Sequence, residues 1–216
     1  MIKTFISLIC TALLISSCAS TTDPVPQEPT FTLSTFDLKA GDKLDFESTS
    51  TTQPDSTTVT TVLVIGVSGA PGAQVLLRED YTYRMRGGYL ETYRGTETAV
   101  KIARFPTTVG DTVIHVLDTL RNPSGSTLQI YEKVVTTVHA DTTLTTPAGS
   151  IRCAVFQALS VPTLTDGVGV VVTKSLSFVS PSLGIITDES QLWAGTTTDG
   201  PPFGATTSKL VKITRK

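Results

Sequence analysis

From about residue 31 onward, apolar and polar residues alternate in short runs, and the runs are cut by Gly, Pro, Asn, Asp and Ser. Alternation sends successive side chains to opposite faces of an extended chain, so it marks half-buried strands. The interruptions are turn chemistry. The pattern predicts a strand or coil over 31–38, then the turn Ala40-Gly41-Asp42. Strands follow over 44–52 and 57–67, parted by Gln53-Pro54-Asp55-Ser56, with a Gly/Pro turn at 68–72. Residues 73–85 and 88–93 form a hairpin around Arg86-Gly87-Gly88, where glycine supplies the positive φ of a tight turn. A strand over 99–105 leads into a loop at 106–111. Residues 112–120 and 127–140 pair across Asn122-Pro123-Ser124-Gly125, and 151–161, 168–179, 184–194 and 205–214 complete the set. One helical turn fits within 161–169.

No window sustains a helical period, and Thr, the commonest residue, suits a pleated surface because its Cβ is branched. The predicted fold is all-β, with about ten or eleven mostly antiparallel strands. A single sheet of that size curls or closes, so a strongly curved sheet or barrel is expected. Lys209, Lys212, Arg215 and Lys216 sit on and after the last strand, where basic residues would protect an exposed sheet edge.

The formal charge is −2 with 17% charged residues, which favours neither nucleic acid nor anionic lipid as a partner. The chain has three cysteines, Cys10, Cys18 and Cys153. Cys153 alternates with Ile151 and Val155 and reads as a small inward-facing residue rather than a catalytic thiol.

The N-terminus follows a different pattern. Lys3 precedes an apolar run from Phe5 to Ile15, and the run ends in Ile15-Ser16-Ser17-Cys18. A charged start, a short apolar core and small residues before a cut make an export signal. The core falls short of the roughly 20 residues that span a bilayer. The four residues resemble the lipobox of bacterial lipoproteins. The resemblance implies cleavage after residue 17, acylation of Cys18 and a membrane anchor. Residues 18–30 then hold the lipidated Cys and a tether with Pro24, Pro26 and Pro29, and 31–216 make a single β domain. An extended tether of that length reaches ~35 Å. No Asp follows Cys18 directly, so the resemblance favours the outer membrane, facing the periplasm.

Candidate chemistry is sparse. His115 and His139 fall on a predicted strand pair and could approach one another, but no set of three or four metal ligands accompanies them. There is no Gly-x-Ser-x-Gly elbow, no Walker loop and no dinucleotide fingerprint. No catalytic residue, metal or cofactor is assigned, and an enzyme is not expected. The densest pattern is the hairpin carrying Tyr81, Tyr83, Arg84, Tyr89 and Tyr93, with Glu91 and Arg94. Tyrosines across a strand pair either brace the sheet or present a recognition surface.

Three further segments carry a second resemblance. They are 104–111 (Arg-Phe-Pro-Thr-Thr-Val-Gly-Asp), 146–153 (Thr-Pro-Ala-Gly-Ser-Ile-Arg-Cys) and 178–186 (Phe-Val-Ser-Pro-Ser-Leu-Gly-Ile-Ile). Together they resemble turn motifs of uncharacterised β-rich lipoproteins of Bacteroidota and related bacteria, and distantly the curved sheets of LolA/LolB-type lipoprotein carriers. Where that pattern commonly has Trp after Gly-Asp, this chain has Val113. The resemblance brings no catalytic residues. The chain as a whole reads as an envelope lipoprotein acting as a non-enzymatic binding or scaffolding module, with a hydrophobic ligand or an envelope protein as its partner, and the LolA/LolB resemblance implies the carrier alternative. The alternatives are a carrier of a lipid or other hydrophobic ligand, and an envelope hydrolase, for which no clustered polar site is visible.

Overall fold

In the computed structural model, the described residues are 33, 35–93, 100–121, 128–164, 171–195 and 197–216, with the side chains of 53–55, 93, 113–121, 128–132 and 162–164 left aside. The signal, Cys18, the tether, Arg94 and the side chains of Tyr93 and His115 therefore lie outside the described residues.

The alternating runs become twelve strands: β1 (Lys43–Ser50), β2 (Gln53–Ser68), β3 (Val75–Arg78), β4 (Thr82–Arg86), β5 (Tyr89–Tyr93), β6 (Val100–Arg104), β7 (Thr112–Arg121), β8 (Leu128–Thr146), β9 (Gly149–Leu164), β10 (Val171–Ser180), β11 (Gly184–Ala194) and β12 (Gly204–Thr214). They form one antiparallel sheet in the order β6-β5-β4-β3-β2-β1-β12-β11-β10-β9-β8-β7. Each strand neighbours the next in sequence, as short turns require. The exception is β6 and β7, which stand at opposite ends of the order, while the first strand, β1, also pairs with the last, β12, with Lys43 opposite Thr214 and Ser50 opposite Thr206. The two outermost strands, β6 and β7, come together, so the sheet is a nearly closed barrel. The loop after β6 finishes the closure. Gly110 donates its N–H to the carbonyl of Thr137 on β8 (2.9 Å), and Thr137 donates to the carbonyl of Asp111 (3.0 Å). No helix occurs among the described residues, and none is long and apolar enough to cross a membrane.

The expected all-β class and curved, barrel-like sheet hold. Three local expectations change. Residues 73–85 are two strands, because Asp80 turns the chain by accepting the N–H of its neighbour Tyr81 (2.9 Å) and both Nε and Nη2 of Arg78. Of the window 161–169, in which one helical turn could fit, residues 161–164 continue strand β9, and 165–170 lie outside the described residues. The basic residues near the end do not guard an edge, since β12 is flanked by β1 and β11. Arg215 and Lys216 instead fix the chain to the turn before β1. The buried carboxylate of Asp42 accepts the N–H of Lys39, the N–H of Lys216 and Nη1 of Arg215, each at 3.0 Å.

Sequence alternation also sets what the barrel holds. At the end where β1 starts, the inward side chains are Leu44, Val64, Leu76, Met85, Leu90, Ala103, Val179, Ile186 and Leu210, all buried in one cluster. Residues 33 and 35–38 are coil and plug this end. Phe36 and Leu38 enter the cluster, the N–H of Phe36 reaches Oε1 of Gln74 (2.8 Å), and that of Asp37 reaches the carbonyl of Ser182 (2.9 Å). The closed end thus receives the chain from the N-terminal side.

Candidate functional site: a polar lumen

Along strand after strand the inward positions change character at mid-length. On β1, Leu44 and Phe46 give way to Ser48 and Ser50. On β12, Leu210 gives way to Ser208, on β11 Ile186 to Asp188 and Ser190, and on β10 Val179 to Ser177 and Ser175. On β3 Leu76 is followed by Arg78, and on β8 Val135 is preceded by Lys133. Register places the changes side by side, with Ser48 opposite Ser208, Ser208 opposite Asp188, and Asp188 opposite Ser177. These are linked by hydroxyl hydrogen bonds, Ser48 to Ser208 (3.3 Å) and Ser177 to Asp188 (2.6 Å).

Short polar side chains cannot fill the space that Leu and Phe fill at the other end, so a cavity of about 470 Å³ remains. Its floor is apolar, with Phe46, Val62, Val135 and Phe156, and its walls carry Ser48, Thr60, Ser175, Ser177 and Ser208. A volume of this order suits a small molecule. Four charged residues also line it, namely Arg78, Asp80, Lys133 and Asp188.

The charges are tightly ordered. The Arg78 side chain is only 2% exposed. It donates Nε to Oδ1 of Asp80 (3.0 Å) and Nη2 to Oδ2 (2.7 Å), while its guanidinium lies 5.2 Å from the Phe46 ring centre and 5.1 Å from that of Tyr83. Such a two-point pair is the strong form of an ion pair, and ring contact adds cation–π attraction. Asp188 accepts hydroxyls from Ser177 and from Ser190 (3.1 Å). Lys133 has no hydrogen bond or ion pair among the described residues, and burial lowers its pKa while the charge of Asp188 partly offsets the shift. Burial pushes the Tyr83 phenol up to about 12, so it stays protonated.

The tyrosine hairpin divides. Register pairs Met85 with Leu90 and Tyr83 with Thr92 on the inner face, and Arg84 with Glu91 and Arg86 with Tyr89 on the outer face. Tyr83 is 3% exposed on the cavity lining, and Tyr81 stands at its rim, 41% exposed. Outside, Arg84 pairs with Glu91 (Nη2 to Oε2, 2.6 Å), and Lys101 lies 4.3 Å from the Tyr89 ring centre. Of the residues read as either a sheet brace or a recognition surface, this register sends Tyr83 and Tyr89 to opposite faces, and the Tyr93 side chain lies outside the described residues.

The histidines do not meet. His115 lies opposite Val134, five residues from the exposed His139 along β8, roughly 17 Å at strand spacing. No group of three or more metal-ligating side chains occurs among the described residues. Cys153 is fully buried, and its pKa is pushed up to about 11 by that burial. The three turn motifs, at 105–111, 147–149 and 180–184, all lie at the closed end. Gly184 there has φ of 85°, and a Cβ on it would approach the Tyr83 ring to 3.3 Å. The motifs build the barrel's floor and leave the cavity walls to Ser, Thr and a few charges.

No protein-family model matches the chain, and no curated protein matches it. Two solved structures share its fold. One, provisionally named an exported protein with a YmcC-like fold, comes from Bacteroides fragilis, with a TM-score of 0.54 at 13% identity. The other, provisionally named a lipoprotein, comes from Parabacteroides distasonis, with a TM-score of 0.56 at 12% identity. Each comparison covers 87% of this chain and 100% of the solved one, so the resemblance extends over the whole barrel.

Proposed function

We infer that this chain is a lipid-anchored protein of the cell envelope whose barrel lumen binds a small ligand without transforming it. The anchoring half rests on Ile15-Ser16-Ser17-Cys18, and the names of the two similar structures agree with export. The outer membrane, facing the periplasm, is the favoured site because no Asp follows Cys18. The binding half rests on one observation, the change of the inward positions from packed apolar residues to short polar ones around a cavity of about 470 Å³.

The walls speak against the expected alternative of a carrier for an acyl chain. Such a chain needs a long apolar tunnel, whereas this lumen has an apolar floor of Phe46, Val62, Val135 and Phe156 below walls that carry hydroxyls and four charged residues. A protein partner held on the tyrosine hairpin is the weaker reading, because Tyr83 faces inward and Tyr89 is engaged by Lys101 on its own sheet.

Native mass spectrometry of the protein extracted from its membrane tests both halves. The expected spectrum carries the mass of acylated Cys18 and a further stoichiometric adduct of a small polar molecule. A lipidated protein that stays free of adduct, even after incubation with envelope extract, overturns the binding role. An unlipidated chain overturns the anchor.

A further inference from the structure

The polar groups of the lumen are unevenly engaged. Each oxygen of both carboxylates already accepts at least one hydrogen bond. Asp80 accepts Nε and Nη2 of Arg78 and the N–H of Tyr81, and Asp188 accepts the hydroxyls of Ser177 and Ser190. The lining groups left with no hydrogen bond at all lie elsewhere and include two cationic donors. Among the described residues, Nη1 of Arg78 is buried without a hydrogen-bond partner, as is the hydroxyl of Thr92. Lys133 presents an ammonium to the same cavity with no partner among the described residues. An orphaned buried guanidinium N–H is costly, so such groups are rare unless something completes them. A ligand that completes these groups must supply acceptors, and two cationic donors favour acceptors that are charged.

We propose that the lumen binds an organic oxyanion, a carboxylate or phosphate group that takes Nη1 of Arg78 and the Lys133 ammonium, with an apolar portion against Phe46 and Phe156. This rests on the lumen being a binding site and adds the chemical class of its occupant. Arg78 suits the role because its pair with Asp80 and its contacts with Phe46 and Tyr83 hold the guanidinium in place before a ligand arrives.

The full chain, reconstituted in phosphatidylcholine nanodiscs, is titrated calorimetrically with phenyl phosphate, benzoate and the uncharged benzyl alcohol. At least one anion is expected to bind with one-to-one stoichiometry and at least tenfold more tightly than the alcohol, and which one binds identifies the headgroup. Lys133→Gln should weaken the anion about tenfold and leave the alcohol unchanged. Arg78→Lys, which keeps the charge and loses the fork, should weaken it further, and Lys133→Gln decides if that variant fails to fold. Equal affinity for anions and alcohol overturns the oxyanion and leaves a lumen site standing. Absence of binding by all three overturns the oxyanion, and joined to a clean native mass it removes the site as well. Anion binding that Lys133→Gln leaves intact also overturns it.

Discussion

The hydroxyls of Thr107 and Thr137 share a hydrogen bond of 2.6 Å, both buried, joining the loop after β6 to β8 across the line where the barrel closes. Removing one hydroxyl strands the other in a dry site. Thr107→Val and Thr137→Val are each expected to cost about 1–2 kcal/mol, and the double variant less than their sum by about 1 kcal/mol. Denaturant unfolding of the four proteins measures the coupling, and strict additivity would show that the pair does not close the seam.

Asp42 is the second fixed point. Its burial acts to raise its pKa, but the N–H groups of Lys216 and Lys39 and the Arg215 guanidinium outweigh that and hold it below the ordinary aspartate range. A lowered folded pKa gives stability that is present above the unfolded value and fades as pH falls through the folded one. Asp42→Asn is therefore expected to cost about 2 kcal/mol at neutral pH. The gap between variant and parent should close as the solution is taken below pH ~4. Thermal melts across that range check it, and a gap that stays constant contradicts the assignment.

Lys133 should show the opposite trade. Burial disfavours its charged form, so the folded pKa lies below the unfolded one, and the cost is fully present below the folded value and vanishes as pH rises toward the unfolded value. Lys133→Met should stabilise the empty barrel by about 1 kcal/mol at neutral pH, with a gain that shrinks in alkali. A destabilised Met variant would mean that Lys133 already has a structural partner.

Cys153 gives an alkaline signature. Its thiol is raised to about 11 by burial, while the unfolded thiol ionises near its ordinary value. A raised folded pKa means stability is complete below the unfolded value and is lost as pH climbs from there through the folded value. The loss amounts to up to ~3 kcal/mol at about 1.4 kcal/mol per unit. Guanidinium unfolding between pH 8 and 10.5 should show a stability loss in the parent that exceeds that of Cys153→Ala, and the difference between the two is the contribution of the thiol. The thiol should also resist Ellman's reagent until the protein unfolds.

The strands and most turns were legible because alternation and glycine are local signals. Gly87 and Gly184 mark their turns in the sequence and have positive φ in the barrel. The break in 73–85 was not legible, since Arg78-Glu79-Asp80-Tyr81 contains neither Gly nor Pro and the turn is made by the Asp80 side chain. The division of the tyrosines between two faces was hidden for a related reason. Which tyrosines share a face depends on the pairing of Met85 with Leu90, a long-range fact that spacing within one strand does not carry. The neighbours of the final strand, and so the role of Arg215, depended in the same way on β12 finding β1. The lumen did leave a trace. Leu44, Phe46, Ser48 and Ser50 show a taper from large to small at alternate positions, repeated in reverse from Ser175 and Ser177 to Val179. The trace points to a hollow only when several strands are laid side by side, so that the small residues fall in one belt.

The pairing of β1 with β12 has a kinetic consequence. The chain makes two six-stranded meanders, β1–β6 and β7–β12, and within each the neighbours are local. The joint between them, from Lys43 opposite Thr214 to Ser50 opposite Thr206, bridges nearly the whole chain. Contacts so distant in sequence are slow to find, because most of the chain's freedom must be surrendered before they form. Each meander can zip up early as an open trough, and only the late meeting of the first and last strands turns two troughs into a vessel.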